Sequence, residues 1–170
     1  LEAIILSAGT NVEWLRDDLG LIKSAADSHE IASRCADSGG VVFVPALLGL
    51  GTPQWDYGAR GTLLGVTRGT GRAEVVRAVL EGVAQRGADL VTAAETDGDT
   101  AIGSLRVDGG MSANQTFIQA LANTTQRPVE VSPVAEATTL GAAFLAGLAI
   151  DTWAGWSDIA ATWAPRDTVE

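Results

Sequence analysis

The sequence predicts an α/β protein, and three observations carry that prediction. Short apolar runs of strand type alternate with longer stretches of helical period. The run Val41-Val42-Phe43-Val44 is β-branched or aromatic at every position, as in a strand buried on both faces. Leu105-Arg106-Val107-Asp108-Gly109-Gly110 reads as a short strand closing into a glycine turn, with a helix start behind it. A hairpin-like stretch between Val41 and Val66 makes the expected sheet mixed, with helices on both faces.

Taken in order, Leu1 to Leu6 is an apolar strand. Ser7-Ala8-Gly9-Thr10 is a turn, and Asn11 is expected to cap a helix from Val12 to Leu19, with Val12, Leu15 and Leu19 inward and Trp14 under the first strand. Gly20 stops that helix. A second helix starts at Asp27 or Ser28, carries Cys35 and ends near Asp37. Ala46 to Gly61 is a long loop without clean period, and loops of that length are often functional. Gly61 to Val66 returns as a strand. Thr70 is expected to cap the longest helix, about 72–94, whose Val75, Val76, Val79, Leu80, Val83, Leu90 and Val91 form one stripe. Gly82 and Gly87 inside it each cost about 1 kcal/mol relative to alanine, so close packing against a neighbour is expected there. Glu95 to Thr100 reads as an acidic surface loop.

After the glycine turn, Ser112 is expected to cap a helix from about 113 to 125. Val129-Glu130-Val131 is a short strand between prolines, and Ala137 to Ala149 is an alanine- and glycine-rich helix suited to packing closely on a sheet. The chain divides into residues 1–153 and a tail, 154–170, with one short helix and a frayed end.

Composition narrows the function. The chain has 170 residues, enough for one domain or most of one, and 46% of them are apolar. A net charge of −10 argues against nucleic acid and anionic membrane as partners. No apolar run is long enough to span a bilayer, no signal peptide is visible, and a single cysteine fits a reducing, cytoplasmic compartment. The first residue is Leu1 and the only methionine is Met111, so the sequence reads as a processed chain or a piece of a longer protein. His29 is the only histidine, which excludes a His-based triad within the chain, and no Walker A pattern occurs.

The glycine turn is the candidate ligand site. Gly109 and Gly110 allow positive φ and a close approach, and Asn114 offers an amide that both donates and accepts, as the edge of a purine requires. In an α/β protein the space beyond the strand ends is the usual crevice for a ligand. The carboxylates Asp56, Asp89 and Asp108 read as a turn, a surface helix position and a strand-end cap. On the residues alone the reading stops at a nucleotide- or sugar-sized ligand, with a tight strand–helix connection that binds nothing as the alternative.

Several stretches together resemble one family. Val107-Asp108-Gly109-Gly110-Met111-Ser112-Ala113-Asn114, Pro128-Val129-Glu130-Val131 and Glu136-Ala137-Thr138-Thr139-Leu140-Gly141-Ala142-Ala143 are similar to the carboxyl-terminal domain of FGGY carbohydrate kinases of the glycerol kinase type. Trp14-Leu15-Arg16-Asp17, the Pro45-Ala46 to Trp55-Asp56 loop, Ala59-Arg60-Gly61 and Gly65-Val66-Thr67-Arg68-Gly69 resemble further motifs of that family. The resemblance implies a ribonuclease H-like or actin-like ATPase domain, incomplete at its start. It also implies nucleotide-binding roles for Gly9, Glu13, Gly110 and Asn114: Gly9 near the phosphates, Gly110 and Asn114 at the adenosine. Glu13 stands where the family commonly has Gln and adds negative charge beside phosphates.

By the same resemblance the cofactors are ATP and Mg²⁺. The metal ligands are expected mainly in an amino-terminal lobe outside this chain. The general base and the glycerol site belong to that lobe too, and no catalytic residue lies within this chain. The implied reaction is glycerol plus ATP to glycerol 3-phosphate and ADP in the full-length parent. The alternatives are a kinase of another sugar or polyol, such as xylulose, or a non-catalytic actin-like binding module. An exposed apolar region around Leu47, Leu48 and Leu50 is expected to favour pairing with that lobe or homo-oligomerisation.

Overall fold

The computed structural model describes all residues, Leu1–Glu170, as six α-helices and five short strands. The order is α1 (Gly9–Asp17), α2 (Asp27–Ala32), β1 (Val42–Val44), β2 (Thr62–Leu64), α3 (Arg72–Gly98), β3 (Leu105–Val107), a 3-10 turn (Gly110–Ala113), α4 (Gln115–Thr125), β4 (Val129–Val131), α5 (Ala137–Ala149), α6 (Trp156–Ala160) and β5 (Asp167–Val169). The expected α/β class and mixed sheet are present. β3 runs parallel to β4 and β4 antiparallel to β5, while β1 and β2 form a separate antiparallel pair with Phe43 opposite Leu63.

The long helix α3 organises the core. Its Val76, Val79 and Leu80 pack with Leu15, Ile31 and Phe43 in one apolar cluster. One turn further on, Ala84 joins Ile118, Leu121, Val129 and Val131 in a second. Gly82 lets α3 lie directly on β1, since a Cβ there would meet the Phe43 carbonyl oxygen. At Gly87 a Cβ would meet only the Leu121 Cδ1 of α4, 2.8 Å away. The close packing expected at both glycines is therefore found. Trp14 stacks on Phe43, with ring centroids 5.7 Å apart, rather than under a first strand.

Several local expectations are corrected. Leu1–Leu6 is not a strand: a strand needs a ladder, and this segment exchanges hydrogen bonds only between Ile4 and Thr52. Val42 on β1 is 55% exposed, so that strand is buried on one face only, because a two-stranded ribbon has nothing over its other side here. Asn11 does not cap α1. The helix begins at Gly9, and the buried Asn11 amide donates back to the Ser7 and Ala8 carbonyls. α2 stops at Ala32, which leaves Cys35 beyond it, its thiol donating to the Ala32 carbonyl.

Thr70 is not the cap of α3. Its hydroxyl accepts from the Thr67 N–H, while Glu74 reaches back to the N–H of Gly71, the true N-cap. The expected acidic loop Glu95 to Thr100 is mostly helix: α3 continues to Gly98 because Glu95 is held by the Ile102 N–H and by Arg127, and Asp99 ends it in the left-handed region. α5 buries only Gly147, against Trp153, rather than packing along the sheet. The terminus is not frayed, since β5 adds to β4 and the Arg166 N–H donates to the Val131 carbonyl. No helix is long and apolar enough to cross a membrane.

Candidate nucleotide-binding crevice

A crevice of ≈ 600 Å³ opens where α1, the entry to α2, the end of β3 and the glycine turn converge. Gly9, Glu13, Gly110 and Asn114, drawn from stretches about a hundred residues apart, all line it. On α1 the lining residues Gly9, Val12, Glu13 and Arg16 follow the i, i+3, i+4, i+7 spacing of one helix face. Val107 and Asp108 form the rim at the end of β3, and Phe117 and Leu121 of α4 supply apolar floor.

The glycines make the space. Gly109 has φ +83°, a conformation that side chains with a Cβ rarely adopt. A Cβ built at Gly9 or Gly110 meets nothing within 4 Å, so each opens onto empty crevice rather than onto packed protein. Gly9 also starts α1, where unpaired backbone N–H groups favour an anion.

Asn114 has a second, structural role. It is the N-cap of α4, its Oδ1 accepting from the Phe117 N–H at 3.0 Å. The expected cap, Ser112, instead donates to the Gly109 carbonyl inside the 3-10 turn. The Asn114 Nδ2 donates to the Ser28 Oγ at 2.8 Å. One amide N–H and one oxygen lone pair remain for a ligand.

Charge in the crevice is balanced locally. Arg16 lines it one turn beyond Glu13 but is paired to Asp17 at 2.6 Å. Arg106 at the rim lies 4.5 Å from the centre of the Trp163 ring and 3.2 Å from Glu130. The Trp163 indole N–H donates to the same Glu130, so the tail braces the rim. Arg16, Ser28, Arg106, Met111 and Phe117 also line the crevice, and sequence reasoning did not single them out. For Arg16 the helical spacing from Gly9 was available as a signal; for Ser28 nothing local was.

Glu130 is held below the usual carboxylate range, first by the Trp163 indole and then by Arg106. A carboxyl with a depressed folded value contributes stability above its ordinary value of 4.5, and that contribution is lost as pH falls through the lower folded value. Glu130→Gln is therefore expected to lower the urea midpoint at neutral pH, with the gap from the parent closing as pH falls from 4.5 through the lower folded value. A gap that persists in acid would show that Glu130 carries no such stability.

A second cavity, ≈ 410 Å³, lies between β1 and α3. It contains none of the expected site residues. Its buried cation, Arg86, is committed to Gln54, Asp89 and the Thr52 carbonyl. Asp89 is thus a partner within the fold, and Asp56 a turn residue that accepts from the Gly58 and Ala59 N–H groups.

Residues 1–150 match the C-terminal domain of the FGGY family of carbohydrate kinases. Over 163 residues, 96% of the chain, it is 48% identical to glycerol kinase 2 of Thermotoga maritima and to the glycerol kinase of Aromatoleum aromaticum. It spans about a third of the length of these relatives (33%). Among solved structures it is similar to Plasmodium falciparum glycerol kinase with ADP, with a TM-score of 0.85 and 35% identity over 95% of this chain and 32% of that one. It also resembles the ligand-bound xylulose kinase of Lactobacillus acidophilus, with a TM-score of 0.82 and 26% identity over 98% of this chain and 34% of that one. The fold is thus the actin-like, ribonuclease H-like ATPase fold. With the glycine turn, the mixed sheet and the family's own domain pattern found together, the chain belongs to the FGGY family of carbohydrate kinases and forms its C-terminal domain.

Proposed function

We propose that this chain is the nucleotide-binding C-terminal portion of an ATP-dependent glycerol kinase. The full-length protein, in this reading, transfers the γ-phosphoryl group of ATP to glycerol, giving glycerol 3-phosphate and ADP in the cytoplasm. The observation that carries the reading is the convergence of Gly9, Glu13, Gly110 and Asn114 on one crevice. The identity to glycerol kinases supports it, as does the likeness to the Plasmodium falciparum glycerol kinase solved with ADP.

The fit to a nucleotide rests on the open space above the glycines. The adenosine lies against the Gly110 backbone and the Asn114 amide, and the phosphates run toward Gly9, where the start of α1 favours negative charge. Glu13 lies one turn along the same face and opposes that charge, which places the terminal phosphates away from it. Phosphoryl transfer of this type uses a divalent cation to neutralise the phosphate oxygens. No group of three or more His, Cys, Asp or Glu side chains forms a metal cage in this chain. By the family resemblance we assign the Mg²⁺ ligands mainly, and the general base and glycerol contacts, to the portion outside this chain, which spans about a third of the length of its relatives (33%).

Asn114→Ala in the full-length protein is expected to weaken ADP binding by about 1–2 kcal/mol, the cost of a hydrogen bond lost with its partner left unmet. It also removes the α4 cap, worth about 1 kcal/mol of stability, so the titration is run well below the variant's melting point. Unchanged affinity in calorimetry would remove Asn114 from the pocket. A second reading, a kinase of another sugar, is favoured by the likeness to xylulose kinase. Turnover of D-xylulose but not glycerol by the full-length protein would establish it.

A further inference from the structure

Resting on the nucleotide reading above, the geometry points to Ser28 as a positioning residue that fixes which way the Asn114 amide faces the nucleotide base. Ser28 lies on α2, 86 residues from Asn114 in sequence, and is fully buried. Its hydroxyl has one proton, and that proton is donated to the Ala25 carbonyl. Toward Asn114 the oxygen therefore acts only as an acceptor, and it takes the Nδ2 proton at 2.8 Å. On the other side the Phe117 N–H is only a donor and takes Oδ1.

The two constraints agree. Rotating the amide by half a turn would set its oxygen against a Ser28 lone pair and its NH₂ against the Phe117 N–H. One polarity is left for the crevice: a single N–H on Nδ2 and a single lone pair on Oδ1. Ala25, Ser28, Asn114 and Phe117 all line the same crevice, so this relay borders the ligand rather than a distant part of the core.

A fixed polarity has a consequence for base choice. Adenine carries a donor at its 6-position, whereas hypoxanthine carries an acceptor there. With the Oδ1 lone pair set against the 6-position, an amide that cannot turn accepts from adenine and repels hypoxanthine; one freed on the Ser28 side turns more readily and reads both. Ser28 thus sets the preference for adenine through the Asn114 amide.

The test uses the full-length protein with ADP and inosine diphosphate as probes. Calorimetric titration is applied to the parent, Ser28→Ala, Asn114→Ala and the double variant, with melting temperatures measured without nucleotide. Ser28→Ala is expected to weaken ADP about three- to tenfold, the range of one ordinary hydrogen bond, and inosine diphosphate less, so that the preference narrows. In the Asn114→Ala background Ser28→Ala is expected to change neither affinity. Equal weakening of both nucleotides by Ser28→Ala, or the same loss in the Asn114→Ala background, would overturn the assignment of Ser28 while leaving the nucleotide reading intact. An Asn114→Ala variant that binds ADP as the parent does would remove Asn114 from the pocket and overturn the assignment of Ser28 with it, and a parent that binds neither nucleotide would overturn the nucleotide reading itself. Should Ser28→Ala not fold, Ser28→Cys fills the site with a weakly accepting sulfur and is held to the same outcomes.

Discussion

The 170-residue chain purified alone is expected to release no ADP from ATP in response to glycerol. Phosphoryl transfer needs an aligned hydroxyl, a base, a metal and phosphate clamps, all held in a site that excludes water. In the proposed function this chain supplies one wall of such a site: a glycine turn, a helix start and an amide, with the crevice open to solvent. Kinases of this superfamily close two domains over their substrates, and a single wall has nothing to close against. The relatives are about three times as long, and in the proposed function the reacting hydroxyl is held by the remainder. A coupled ADP-release assay on the isolated chain, repeated after mixing with the amino-terminal portion, decides the matter. Glycerol-dependent turnover without that portion would sink the proposed division of labour, and turnover only on mixing would support it.

Gly82→Val is expected to lower stability by about 3 kcal/mol, the upper end of the usual range for forcing extra carbons into a packed core. The site leaves no room for adjustment. Gly82 lies in the middle of α3, and the atom a Cβ would meet is the backbone oxygen of Phe43, itself buried at 3% exposure and held in the β1–β2 pair. Relief requires α3 and β1 to separate, which opens the cluster of Leu15, Phe43, Val76, Val79 and Leu80. Gly82→Ala suffers the same collision but gains about 1 kcal/mol of helix propensity, so a net loss of about 1–2 kcal/mol is expected.

Gly87→Ala is the control on the same helix. There the opposing atom is the end of the Leu121 side chain, which can rotate, and the propensity gain offsets most of the crowding. Urea midpoints for the three variants test the contrast. A Gly82→Ala protein as stable as its parent would mean that α3 does not press on β1.

Much of this was legible before any coordinates. The long helix, the hairpin, the strand–glycine–helix unit and the existence of a ligand crevice follow from apolar period and from residues with specific backbone or capping roles. The four candidate site residues rest on motif resemblance, and the fold gathers them on one crevice. The misreadings have a common physical cause. Leu1–Leu6 has the composition of a strand, but strand formation depends on a partner elsewhere in the chain, and only Thr52 reaches Ile4. Val42 has the composition of a buried residue, but its exposure depends on what lies over the ribbon. The tail is broken by proline and ends in charged residues, yet its last residues complete the β3–β4–β5 sheet.

Caps show the same division. Ser112, Thr70 and Asn11 each have a residue type that caps helices, and in each case a neighbour holds the position instead: Asn114, Gly71 and Ala8. Residue type limits the set of possible caps; the path of the backbone chooses among them. The sequence by itself determined the fold class, the family and the residue types of the site, because these depend on period, composition and motif. Only the tertiary structure decided that Ser28 holds Asn114, that Trp163 braces Arg106 through Glu130, and that α3 rests on β1 at Gly82. Each of these is a contact between segments far apart in the chain, and no local pattern encodes the distance across which they meet.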